Sequence, residues 1–229
     1  MISDQPLAVA IKNFQRNRMV NLTAQSVKHF LPNADIHCLT LYKQSMDEYA
    51  SQEPLLPFIK EFTAQTKYVS NKNVYDGTNS AEISGFAHPD NGSFFAEGYN
   101  IIFEKFRDSD QKLLMLAEDH FFTTGQTLRE VVEIDWDAAY AGWQDWGDYR
   151  NVNGSILAIV PSKVGHLFPV SEQTNYMVEW TYWHGLIARL DRSRVHEFTT
   201  RREGDYKGDG FCTNSSDIML EKMKEAGIL

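Results

Sequence analysis

The apolar run Leu113-Leu114-Met115-Leu116 is followed, after Ala117, by Glu118-Asp119-His120. A short run with no polar residue on either face reads as a strand, Lys112–Ala117, buried on both sides. Such strands lie in the middle of sheets that carry helices on two faces. In open α/β sheets, ligands bind in the crevice outside the carboxyl ends of the strands. Acid, acid and imidazole delivered at that end are three potential metal ligands within three residues. Oxygen donors with one imidazole suit Mg²⁺ or Mn²⁺, and Mn²⁺ accepts nitrogen more readily. The same three residues would also serve as a solvated turn.

The neighbouring segments agree with an α/β sheet. Leu7–Ile11 reads as a short buried strand, and Met19–Leu31 has apolar residues at helical spacing up to Pro32. Ile36–Tyr42 reads as a second strand and Leu55–Phe62 as a second helix, a strand-helix alternation that predicts a parallel sheet. Ser70–Gly92 has no period and is rich in Asn, Asp, Gly and Ser; a loop this long inside a domain is often functional. Phe94–Phe106 resumes as a helix. Further on, Leu128–Ile134 and Val178–Leu190 read as helices. Ala138–Gly142, Ser155–Val160 and Val195–Phe198 read as strands, and 201–214 as a charged, glycine-containing loop. Ser216–Ala226 reads as a terminal helix, with Asn214 or Ser215 to cap it, Asp217 at its positive end and Gly227 at its exit.

The chain of 229 residues carries 22 Lys+Arg against 31 Asp+Glu, a formal net charge of -9. That balance argues against a general binder of phosphate backbones, so no nucleic-acid partner is expected. A nucleotide ligand would need a cation or a few focused basic groups. No apolar run approaches the roughly 20 residues of a membrane span, and the N-terminal residues lack a secretory pattern, so a cytoplasmic protein is expected. Cys38 and Cys212 have no metal-ligand spacing and are expected to be reduced.

The strand Leu113-Leu114-Met115-Leu116-Ala117 with Glu118-Asp119-His120 resembles the metal motif of the GT-A glycosyltransferases, in which an apolar strand precedes Asp-X-Asp. This chain departs from that pattern at both outer positions, with Glu118 and His120. The segment Ile11-Lys12-Asn13-Phe14-Gln15-Arg16-Asn17-Arg18 is similar to the nucleotide-facing loop of that family, and Phe94–Phe106, with Gly98 and Asn100, to the helix before its motif. The likeness extends over roughly residues 7–200 at the level of order and pattern. It is to compact stand-alone members, some of them phage-encoded.

The resemblance implies a single GT-A-like, Rossmann-like α/β domain over 1–229, with a mixed, mostly parallel central sheet flanked by helices. Its nucleotide-binding half would be residues 1–120 and its acceptor-side half 121–229. It implies a metal-dependent transfer of sugar from a UDP-sugar such as UDP-glucose to an acceptor that the sequence does not name, with donor hydrolysis when the acceptor is missing. Mn²⁺ or Mg²⁺ would be held by Glu118, Asp119, His120 and a later histidine. His196 is the candidate for that last role, since its rival His184 sits among Trp180, Tyr182 and Trp183 in an aromatic helix. Asn13, Arg16 and Arg18 would line the nucleoside, and Arg201, Arg202 and Lys207 would close over the diphosphate. Glu179 is the candidate general base. Asp145 and Asp148, alternating with Trp143 and Trp146, are its rivals as a sugar-binding wall. Two alternatives stay open: nucleotidyl transfer, against which the lack of glycine in Ile11–Arg18 counts, and a binding domain without turnover.

Overall fold

The run Leu7-Ala8-Val9-Ala10-Ile11 lies at the centre of a sheet because neither of its faces tolerates water. In the computed structural model of the protein, residues 7–13, 16–42, 53–65, 94–142, 152–169, 187, 189–198, 211–212 and 215–229 are described. In chain order the strands are β1 (Leu7–Asn13), β2 (Asp35–Tyr42), β3 (Lys60–Gln65), β4 (Lys112–Ala117), β5 (His120–Phe121), β6 (Ala138–Gly142), β7 (Val152–Ile159), β8 (Val195–Glu197) and β9 (Phe211–Cys212). The helices are α1 (Asn17–Phe30), α2 (Phe94–Phe106), α3 (Gln126–Glu133), the short α4 (Pro161–Val164) and α5 (Ser216–Glu225).

Seven strands form one sheet in the order β3-β2-β1-β4-β7-β6-β8. The first four are parallel. β7 then runs antiparallel to both β4 and β6, and β8 runs parallel to β6. β5 and β9 form a separate antiparallel pair. The architecture is the mixed, mostly parallel α/β sheet expected from the sequence.

Side-chain alternation distributes the core over both faces. Val9 and Ile11 join Ile36, Leu114 and Leu116 under Val20, Ala24 and Val27 of α1. Ala8 and Ala10 join Leu39, Leu113 and Met115 under Tyr99, Ile102 and Phe103 of α2. Each large apolar side chain fully buried this way contributes about 1.5–3 kcal/mol. A third cluster forms where α5 meets α1, with Met219 and Met223 against Met19, Leu22 and Phe121. α5 starts as the sequence indicated: the Ser215 hydroxyl accepts from the Ile218 N–H, and Asp217 lies in the first turn.

The helix expected over Leu55–Phe62 does not form. Residues 54–59 are turn and coil, and β3 begins at Lys60. Leu55, Leu56, Ile59 and Phe62 have helical spacing, but Pro57 disfavours helical backbone at Leu56. From Glu61 the exposure alternates, with Phe62 and Ala64 half-buried between exposed neighbours, which is the period of an edge strand. The loop Ser70–Gly92, residues 201–210 and most of the helix expected over Val178–Leu190 lie outside the described residues.

Candidate functional site

The sheet order has a switch point between β1 and β4. From β1 the chain crosses to β2 through α1, which packs on one face, while α2, which leads into β4, packs on the other. The two connections leave in opposite directions, and the carboxyl ends between them are where open α/β sheets bind their ligands. Lys12 pairs with Ala117, so the next residues, Asn13 and Glu118, emerge side by side at that edge.

Asn13 is fully buried. Its amide donates to Asn17 Oδ1 at 2.8 Å and to Thr40 Oγ1 at 3.3 Å, and its Oδ1 accepts from the Arg16 N–H at 2.8 Å. The side chain therefore shapes the turn that presents Arg16. Arg16 Nε lies 3.9 Å from Glu118 Oε1. Glu118 is 4 % exposed, and its carbonyl accepts from the buried Thr23 hydroxyl of α1 at 2.9 Å. Ser26, one turn further on, accepts from the Phe122 N–H at 3.2 Å. Two hydroxyls of α1 thus hold the backbone on either side of Asp119 and His120. Burial pushes the Glu118 carboxyl up to about 7; Arg16 and Lys12 pull against that, and Asp119 adds to it.

Asp119 and His120 bond to each other, with His120 Nδ1 2.6 Å from Asp119 Oδ1. The His120 ring is 1 % exposed, and its Nε2 is buried with no hydrogen-bond partner among the described residues. A carboxylate at Nδ1 places the proton there and leaves the Nε2 lone pair open, the arrangement common to metal-binding imidazoles. Among the described residues no three His, Cys, Asp or Glu side chains gather as a ligand cluster.

Other candidates are placed elsewhere. Arg18 is half-exposed and pairs with Asp217 of α5 at 2.8 Å. His196 does not join the Glu118-Asp119-His120 edge. It lies on β8 level with Ala139 of β6, hence with Ala158 of β7 and Leu114 of β4. That is three strands away, about 14 Å at the usual strand spacing, and level with Leu114, well before the carboxyl end of β4. Its Nε2 meets Glu130 Oε2 of α3 at 2.7 Å instead. Proximity in an α/β edge is set by strand order, which the sequence around His196 does not reveal. Glu179, Asp145, Asp148, Arg201, Arg202, Lys207 and His184 lie outside the described residues.

Two features of the site go beyond the sequence pattern. Asn21 fixes the segment before β3: its amide donates to Glu53 Oε1 and the Pro54 carbonyl, and its Oδ1 accepts from the Leu56 N–H, each at 3.0 Å. The spacing Asn13, Asn17, Asn21, four residues apart, was the available signal. Lys12, 1 % exposed, points to the α2 face with Nζ 4.5 Å from the Tyr99 ring centre. A lysine in the last pair of a buried strand was its signal.

No protein-family profile matches the chain, and no curated protein sequence matches it. Solved structures do. A Drosophila β1,4-galactosyltransferase 7 mutant, in complex with manganese, UDP-Gal and xylobiose, aligns over 94% of this chain and 79% of its own, with TM-score 0.53 and 12% identity. The inositol-1-phosphate CTP transferase from T. maritima aligns over 98% of both chains, with TM-score 0.51 and 9% identity. The chain therefore has an α/β, Rossmann-like fold of the kind found in a nucleotide-sugar glycosyltransferase and in a nucleotidyltransferase.

Proposed function

We propose that this protein is a metal-dependent glycosyltransferase that moves a sugar from a UDP-sugar to an acceptor, with water replacing a missing acceptor. The observation that carries the reading is the switch-point edge, where Asn13, Arg16, Glu118, Asp119 and His120 meet at the carboxyl ends of adjacent parallel strands. The manganese and UDP-Gal of the galactosyltransferase complex support it.

A divalent ion would be held through Nε2 of His120, with the Asp119 carboxylate fixing the ring from Nδ1 and phosphate oxygens in the remaining positions. Such an ion would neutralise charge on a nucleoside diphosphate as the sugar departs. Glu118, turned toward Arg16, orients that guanidinium toward the nucleotide side. Glu179 is the proposed base for the acceptor hydroxyl, with Asp145 and Asp148 as rivals. Arg201, Arg202 and Lys207 are the proposed diphosphate contacts from the later loop.

The test is release of UDP from UDP-sugars with Mn²⁺, with Mg²⁺ and with chelator. Metal-dependent release supports the reading. A second reading, nucleotidyl transfer, is favoured by full-length alignment with the CTP transferase. Pyrophosphate release from a nucleoside triphosphate and a sugar phosphate, without UDP-sugar turnover, would select it.

A further inference from the structure

The site is acidic, on a chain of net charge -9, yet the ligand proposed for it is an anion. Arg16 approaches Glu118 from the α1 face. Lys12 stands on the opposite face, one residue before the edge, in register with Ala117. Room for it is made by helix α2. A Cβ at Gly98 would fall 2.6 Å from Lys12 Cδ and 3.2 Å from its Cγ, so the glycine leaves the slot that the lysine stem fills. Burying an ammonium group is costly, and large apolar side chains usually fill such positions.

We propose that Lys12 is the fixed counter-charge of this edge: a positioning residue, seated through Gly98, whose field lets the acidic end of β4 accept a nucleoside diphosphate. This rests on the nucleotide reading above. Lys12 makes no contact with the ligand in this role. Its charge acts from below the edge, where screening by water and salt is weak. The effect belongs to the phosphates and not to the nucleoside.

The experiment is calorimetry of UDP and of uridine, both with Mn²⁺ at one pH, on the wild-type chain, Lys12→Met and Gly98→Ala. Methionine keeps the apolar stem and removes the charge. The added methyl at 98 displaces the lysine while keeping it. UDP affinity is expected to fall about tenfold in Lys12→Met and by a smaller factor in Gly98→Ala, with uridine unchanged in both. Unchanged UDP affinity in Lys12→Met, or equal losses for UDP and uridine, overturns the inference. If Lys12→Met does not fold, Gly98→Ala decides by the same criterion. A wild-type chain that binds neither ligand is a different result, and it overturns the nucleotide reading on which the inference stands.

Discussion

Arg16 and Glu118, 102 positions apart in the chain, face each other across the switch point with Nε and Oε1 3.9 Å apart. The backbone of each is fixed separately: the Arg16 N–H by Asn13 and the Glu118 carbonyl by Thr23. Arg18, two residues on, is instead engaged with Asp217. Arg16→Met is therefore expected to weaken UDP about tenfold, about 1.4 kcal/mol, and Arg18→Met to leave it within about twofold, since the Arg18 guanidinium is turned to Asp217. Titration calorimetry of the two variants checks this. Equal losses would mean that both arginines reach the nucleotide.

Metal binding should follow Asp119 and His120. Asp119→Asn is expected to lower Mn²⁺ affinity in the presence of UDP by about 10–100-fold, the usual effect of losing the partner that orients a ligand, and His120→Ala, which removes the ligand, by at least as much. His196→Ala should leave it unchanged, because that ring lies three strands from β4 and is bonded to Glu130. Mn²⁺ titration followed by electron paramagnetic resonance reads all three. Loss of binding in His196→Ala alone would reverse the assignment.

The acceptor-side carboxylate is tested by rate. Removal of a general base lowers turnover by about 10² to 10⁴-fold while donor binding persists. Glu179→Gln is expected to show that pattern, with Asp145→Asn and Asp148→Asn affecting acceptor KM more than kcat. Near-normal turnover in Glu179→Gln together with collapse in either aspartate variant would move the role to the Trp-Asp segment.

Acid stability should depend on the far edge of the sheet. The hydrogen bond from Arg194 holds the Asp137 carboxyl below its usual 3.8, with Lys163 helping against the desolvation that opposes it. A carboxyl whose pKa is lower folded than unfolded contributes stability above the unfolded value and loses it as pH falls through the folded one. Urea midpoints should drop from about pH 4 downward, and Asp137→Asn should flatten that drop while lowering the neutral-pH midpoint only slightly. A variant as acid-sensitive as wild type would exclude Asp137 from the effect.

The elements legible in the sequence were those whose own period decided them. β1, α1, α2, β4 and α5 each carry an apolar pattern that only one geometry satisfies, and the Glu118-Asp119-His120 end of β4 stood out for the same reason. β3 is hidden in the sequence because an edge strand buries only Phe62 and Ala64 in part, too weak a signal against helical spacing next to Pro57. The partner of His196 was invisible because Glu130 lies 66 positions earlier, on a helix whose packing depends on strand order. The role of Gly98 could be noted as a residue in a helix, but the reason for it, the Lys12 stem, is a contact across 86 positions.

Helix α1 serves as a common beam. Met19 and Leu22 rest on α5 through Met219 and Met223, while Thr23 and Ser26 hold the backbone around Asp119 and His120. A change in the methionine cluster thus has a short mechanical route through α1 and Phe121 to the acidic turn. Related proteins that replace Met219 or Met223 should carry a matching change on α1, at Met19 or Leu22, before they change anything in Glu118-Asp119-His120.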